Sequence, residues 1–165
     1  MIRWPERYSP EATAVHARTA MDVPVARPVV WGWIVRAGLW PDWYPHFREV
    51  EIEGGGIDLA DGSRFRWKAF GVPLSSRVEE FVPPERIAWT ARALGVDAYH
   101  AWVIEESPSG CRVLTEENQN GLVARLNAAI RPRFMESMQR DLLERLRDAA
   151  AGGPPPSTPH RAGAP

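Results

Sequence analysis

The sequence predicts an α+β domain in which a curved antiparallel sheet of about seven strands covers one long C-terminal helix. Strand patterns, with apolar residues at alternate positions, recur between residues 13 and 119. Short turns rich in Gly and Pro separate most of them, which favours an antiparallel meander. Residues 122–146 carry the one long apolar stripe of helical spacing, and a sheet with one apolar face needs such a cover.

Length and composition limit the classes of function. A chain of 165 residues has the size of one domain, and 44% hydrophobic with 25% charged residues excludes global disorder. The net charge of −1 gives no long-range field that would favour nucleic acid or an anionic membrane as partner. No apolar run is long enough for a membrane span, and the first residues lack a secretory apolar core, so we expect a cytoplasmic protein.

The N-terminal part begins with an arm, residues 1–11, of no clear period. Residues 13–23 alternate apolar and polar side chains, which predicts a half-buried strand. A short helix follows from Ala26, with Pro28 in its first turn, where the missing N–H costs nothing. Residues 40–45 predict a second, shorter helical segment. The sequence therefore places two short helices directly after the first strand.

Six further strands follow these helices, at residues 49–53, 63–70, 74–82, 87–92, 98–106 and 111–119. The stripe of the terminal helix consists of residues four apart, namely Leu122, Leu126, Ile130, Phe134, Met138, Leu142 and Leu146. Pro132 lies inside this pattern and should kink or divide the helix near residues 128–130. We expect one domain over residues 12–150, followed by a disordered Pro-, Ala- and Gly-rich tail, 151–165.

The segments that form these elements are similar to the SRPBCC superfamily, which includes START, polyketide cyclase/dehydrase and birch-pollen-allergen-like proteins. The similar segments are 28–31 with 40–45, 62–67, 78–89, 100–102 and 110–121, together with the terminal helix. The resemblance covers residues 12–150 and implies a helix-grip fold, whose sheet grips the long helix around a hydrophobic cavity. Members include lipid carriers, ligand sensors and aromatases/cyclases, so the resemblance indicates a fold more than a function.

The best candidate for chemistry is a pair formed by His100 and Glu117. If residues 107–110 form the hairpin turn, His100 lies opposite Glu117 and Trp102 opposite Thr115. A carboxylate beside an imidazole can orient it and raise its pKa above about 6.5. Such a pair could take a proton alpha to a carbonyl or hold a polar group of a ligand. Alternatively, the two residues satisfy each other as a buried polar pair that meets no substrate.

Aromatic side chains on the same face predict the wall of a ligand cavity. The candidates are Phe65, Trp67, Trp89, Trp102, Ile104 and Thr115 on strands, Trp40 and Trp43 on the short helices, and Ile130 and Phe134 on the terminal helix. Eight tryptophans are many for this length, and they could equally fill a core, because side chains that line a pocket can also close it. Trp40 and Trp43 could likewise gate the cavity or pack the short helices.

Three functions remain open at this point. A mostly apolar pocket with a few polar groups favours binding of a small hydrophobic molecule, such as a lipid, polyketide or aromatic metabolite. The second is an enzyme resembling polyketide cyclases or dehydrases, in which His100 shuttles protons and Glu117 orients it. The third is a protein–protein module with a filled cavity.

The sequence offers no support for a cofactor or a metal. Four scattered histidines lack metal-ligand spacing, and no glycine-rich phosphate loop follows a strand. Ser75 and Ser76 lack a hydrolase frame, and Arg77, His46 and His16 are expected on polar surfaces. The single Cys111 excludes an internal disulfide. The oligomeric state is not predicted.

Overall fold

The computed structural model describes residues 2–157, and within them seven strands form one antiparallel sheet. The strands are β1 (Val15–Val23), β2 (Phe47–Ile52), β3 (Arg64–Ala69), β4 (Val72–Val82), β5 (Arg86–Ala93), β6 (Val96–Ser107) and β7 (Gly110–Asn120). Their order across the sheet is β1-β7-β6-β5-β4-β3-β2. The six later strands therefore form the predicted meander, and β1 closes the sheet by pairing with β7.

Four α-helices accompany the sheet in this part of the chain: α1 (Arg27–Val35), α2 (Trp40–Trp43), α3 (Leu122–Ile130) and α4 (Phe134–Ala151). Helix α4 packs against β1 and α1 and buries Leu142, Leu143 and Leu146. The helix-grip fold expected from the sequence is thereby confirmed. None of the helices described is both long and apolar enough to cross a membrane.

The terminal helix is divided, and the first half of its predicted stripe does not face the sheet. Arg131 leaves the helical conformation, with φ −134° and ψ 68°, immediately before Pro132. Leu122, Leu126 and Ile130 are 80%, 58% and 67% exposed. Residues four apart advance about 40° beyond one full turn, so the six steps from Leu122 to Leu146 cannot stay on one face of a straight helix. The side chain that α3 buries is Ala124.

The core beside α1 and α2 is filled by aromatic rings around Trp40. Its ring centroid lies 5.4 Å from that of Trp67, 5.5 Å from Trp89 and 5.9 Å from Phe65. Its indole Nε1 donates to the Ile34 carbonyl at 2.9 Å, which satisfies the buried N–H. Trp40 is therefore a core residue and not a gate.

Both chain ends that the structure describes pack against the domain. On the outer face of the sheet, Tyr8 packs on Tyr99 and donates its hydroxyl to Asp97 at 2.7 Å. Beyond α4, the Trp33 indole donates to the Gly153 carbonyl at 2.9 Å, and Arg36 donates to the carbonyls of residues 155 and 156. Residues 153–156 belong to the tail that we expected to be disordered. In the structure they lie against the end of α1, because their backbone carbonyls accept hydrogen bonds from Trp33 and Arg36. Residues 158–165 of the tail lie outside the described residues.

Candidate ligand-binding cavity

A cavity of about 320 Å³ lies between the inner face of the sheet and helices α3 and α4. Its size falls at the lower end of the range typical of small-molecule sites. Most of its wall is apolar, from Trp67, Leu74, Ala91, Ala98, Ala124, Ala128, Phe134, Met135 and Met138.

The space exists because small side chains replace aromatic ones along the inner face. Ala91 on β5 lies opposite Ala98 on β6, whereas two residues earlier on β5, Trp89 lies opposite His100. Ala91 and Ala98 are both buried and both line the cavity. The close packing of aromatic rings therefore ends at the pair Trp89 and His100. The neighbouring pair, Ala91 and Ala98, has small side chains that leave the cavity open over the sheet.

His100 and Glu117 form the polar floor of the cavity. They are directly opposite on β6 and β7, as the sequence predicts. The His100 Nε2 atom is hydrogen-bonded to the Thr115 hydroxyl at 2.7 Å, while its Nδ1 lies 3.6 Å from Glu117 Oε2, beyond hydrogen-bonding distance. Gln119 donates its amide to Glu117 Oε1 at 2.6 Å. The pair is therefore held by Thr115 and Gln119 and not by a direct bond between its members.

Burial sets the ionisation of both groups. Desolvation lowers the pKa of His100 from 6.5 to about 3, which is opposite to the rise expected from a neighbouring carboxylate. Burial raises the pKa of the Glu117 carboxyl, and the hydrogen bond from Gln119 opposes this only in part. At this site desolvation outweighs the attraction between the charged forms, so the fold favours the neutral forms of both groups.

The structure brings some of the predicted site residues to the cavity and leaves others in the core. Trp67, His100, Glu117 and Phe134 line the cavity. The remaining predicted strand and helix residues do not: Phe65, Trp89, Trp102, Ile104, Thr115 and Trp40 are buried in the core, Trp43 is half-buried and Ile130 is exposed. The strand residues do share the inner face, but the aromatic cluster around Trp40 fills the space beneath most of them.

Sequence reasoning missed most of the helical wall and the mouth. Asn127, Ala128 and Arg131 line the cavity although they lie off the predicted stripe. The drift of a four-residue repeat was the signal that could have found them. Alanines at inward positions of two paired strands, Ala91 and Ala98, were a second signal for open space.

The mouth of the cavity lies at the β3–β4 hairpin and the break between α3 and α4. The rings of Phe70 and Phe134 approach to 5.6 Å between centroids, and His46 stacks on Phe70 at 4.5 Å. Phe70 has a φ of 52°, in the left-handed region that glycine and asparagine occupy more easily.

As predicted, His46 and Arg77 are exposed, and His16 lies on the outer face, 2.9 Å from Glu116. No group of three or more His, Cys, Asp or Glu in residues 2–157 is arranged to hold a metal.

Comparison with known proteins identifies a family and a fold. The profile of the family described as polyketide cyclase / dehydrase and lipid transport matches residues 14–151. The structure is similar to that of the hypothetical protein jhp0584 from Helicobacter pylori, with a TM-score of 0.84 and 26% identity over 91% of this chain and 96% of that one. No curated protein matches the sequence at a significant level.

Two more distant structures share the fold alone. One is the di-domain ARO/CYC StfQ from the steffimycin biosynthetic pathway, with a TM-score of 0.67 and 14% identity over 84% of this chain and 51% of that one. The other is norcoclaurine synthase from Thalictrum flavum in complex with dopamine and hydroxybenzaldehyde, with a TM-score of 0.64 and 11% identity over 86% of this chain and 89% of that one.

Proposed function

The chain belongs to the polyketide cyclase/dehydrase and lipid transport family, and on that premise we propose that it binds a small hydrophobic molecule between the sheet and helices α3 and α4. The observation that carries the proposal is the open space above Ala91 and Ala98, which has an apolar wall and a polar floor. The chemical class of the ligand is a lipid, a polyketide or an aromatic metabolite with an apolar body.

The polar floor suits a neutral oxygen of such a ligand. If His100 and Glu117 only satisfied each other, they would lie within hydrogen-bonding distance, but 3.6 Å separates their nearest atoms. Because burial favours the neutral imidazole and the protonated carboxyl, a ligand hydroxyl or carbonyl is a better partner here than a charged group. We expect the apolar wall to supply affinity and the floor to orient the ligand.

The proposal is tested by filling the cavity. Ala98→Leu adds a branched side chain at a buried position that lines the space, whereas Ala20→Leu makes the same change on an exposed position of β1. With N-phenyl-1-naphthylamine as a neutral fluorescent probe, Ala98→Leu should bind about tenfold more weakly or worse, equivalent to about 1.4 kcal/mol. Ala20→Leu should bind like the parent. Equal probe affinity in a folded Ala98→Leu protein would contradict the proposal.

The alternative is a polyketide cyclase/dehydrase-type enzyme that uses His100 and Glu117 for proton transfer. The observation that favours it is the position of both groups on the cavity floor. Against it, an imidazole with a pKa near 3 is a weak base at neutral pH. A carrier should keep its affinity within a few-fold after His100→Ala, whereas an enzyme should lose turnover by about 10² or more. Native mass spectrometry of protein purified from its own host would supply the molecule for both measurements.

A further inference from the structure

The exposed apolar side chains gather at one end of the molecule. Within residues 2–157, the large hydrophobic residues that are exposed are Phe70, Val72, Leu94, Leu122, Val123, Leu126, Ile130 and Phe134. We call this set the mouth surface, because it comprises two hairpin tips, the outer side of α3 and the start of α4. Exposed apolar residues scattered singly need no explanation, but a gathered set marks an interaction site.

Direct contacts tie the parts of the mouth surface to one another and to the cavity. The Phe70 ring of the β3–β4 hairpin meets the Phe134 ring of α4 at 5.6 Å. At the β5–β6 hairpin, the Gly95 carbonyl accepts the Val123 backbone N–H at 3.2 Å, which attaches the start of α3. Phe70, Val72 and Phe134 also line the cavity, so the mouth surface surrounds its entrance.

The charge next to this surface is positive. Residues 122–133 contain Arg125, Arg131 and Arg133 but no Asp or Glu, and all three arginines are exposed. The first acidic residue afterwards is Glu136, at the start of α4. The net charge of −1 for the whole chain hides this local concentration, which is why composition gave no reason to expect an anionic membrane.

We propose that the mouth surface docks on an anionic lipid bilayer. A helical segment that exposes Leu and Ile next to several arginines has the two properties that hold a protein at a bilayer surface: apolar side chains that enter the interface and cations that pair with anionic headgroups. Phe70 fits the same role, since it keeps an exposed aromatic ring at a left-handed position where asparagine or glycine would be less strained. The proposal does not require the cavity ligand to be a lipid.

Vesicle flotation of the full chain tests the docking. The probes are phosphatidylcholine vesicles with and without phosphatidylglycerol. The protein should float with the phosphatidylglycerol vesicles, and binding should weaken as salt rises from about 0.1 M to about 1 M, where the Debye length falls from about 10 Å to about 3 Å. Failure to bind phosphatidylglycerol vesicles at the lower salt concentration would overturn the proposal.

Matched variants separate docking from general charge effects. Arg125→Ser with Arg133→Ser should weaken vesicle binding about 25-fold, since each basic residue near an anionic surface is worth about fivefold. Arg64→Ser with Arg77→Ser removes the same charge from exposed positions of β3 and β4 and should bind like the parent. If the two double variants weaken binding equally, Arg125 and Arg133 have no special role and the proposal fails.

The apolar part needs its own variant. Leu126→Ser with Ile130→Ser changes two exposed side chains, so the fold should remain and vesicle binding should be lost. Unchanged vesicle binding by this variant would overturn the proposal. So would light scattering that shows a dimer which this variant converts to a monomer, because a second copy of the chain would then cover the surface.

Discussion

The imidazole of His100 is hydrogen-bonded to the hydroxyl of Thr115, 2.7 Å away, and not to the carboxyl of Glu117, which it faces. Thr115 is two residues from Glu117 on β7, so both side chains point to the inner face of the sheet. The hydroxyl can bond a neutral imidazole without a charge on either partner. This arrangement explains how a histidine is buried beside a carboxyl without forming an ion pair, and it has consequences for the pH dependence of stability.

His100→Gln should reduce the loss of stability in mild acid. The folded-state pKa near 3 lies below the unfolded value of 6.5, so the folded protein binds fewer protons between these values and loses stability as the pH falls. Between pH 6.5 and pH 4.5, the parent should lose about 2–3 kcal/mol more than His100→Gln, whose amide can still bond Thr115. Urea unfolding at both pH values measures this difference, and parallel losses in the two proteins would contradict it.

Glu117→Gln should reduce the loss of stability that accompanies a rise in pH, whereas His100→Gln acts on the loss that accompanies a fall. The pKa of this carboxyl is raised in the folded state, so its contribution to stability is present below the unfolded value of 4.5 and is lost as the pH rises through the folded value. The parent should therefore lose stability on going from acid to neutral pH relative to Glu117→Gln. Glu105→Gln, on an exposed position of the neighbouring strand, is the control and should parallel the parent. A parent and Glu117→Gln that keep a constant difference across this pH range would disprove the assignment.

The register of the sheet was predictable because a local signal sets it. The Ser107–Gly110 turn joins β6 to β7, and the alternation then fixes that His100 faces Glu117. Which atoms bond was not predictable, because alternation gives a side of the sheet and not a distance. The same alternation places Trp67 and Trp89 on the same face of the sheet, yet of the two only Trp67 lines the cavity. Trp89 is covered by Trp40 of α2, and the alternation of a strand does not predict where a helix packs on it.

The terminal helix shows a different limit. A stripe of residues four apart predicts a helix correctly, and Pro132 correctly indicated a division. The stripe did not predict which side of α3 would face the sheet, because each repeat turns about 40° further around the axis. The buried residues of α4 are Gln139, Leu142, Leu143, Leu146 and Ala150, while Leu126 of α3 is exposed.

Trp40→Ala should be strongly destabilising. The ring packs on several aromatic side chains and is buried, and its removal leaves a cavity that neighbouring rings cannot fill. We expect a loss of about 3–5 kcal/mol in the free energy of unfolding, and a smaller loss for Trp40→Phe. Trp4→Ala, which removes a partly buried ring from the outer face, serves as the control and should cost less. Equal losses for Trp40→Ala and Trp4→Ala would show that the ring at position 40 is not central to the core.

Gly121→Ala should loosen α3 and with it one wall of the cavity. Gly121 has a φ of 113°, and a Cβ atom there would lie 2.3 Å from the carbonyl oxygen of Gly95, part of the backbone that holds the start of α3.

Gly55→Ala is the matched control, because Gly55 also has a positive φ, 87°, but no atom lies within 4 Å of its added Cβ. Both variants place an alanine at a positive φ, which costs about 1–3 kcal/mol in such sparsely populated backbone conformations, and only Gly121→Ala adds the clash. Hydrogen exchange of residues 122–130 should therefore accelerate about tenfold or more in Gly121→Ala, with faster release of N-phenyl-1-naphthylamine, and stay unchanged in Gly55→Ala. Equal exchange in the two variants would mean that the Gly95–Gly121 contact does not hold α3 over the cavity.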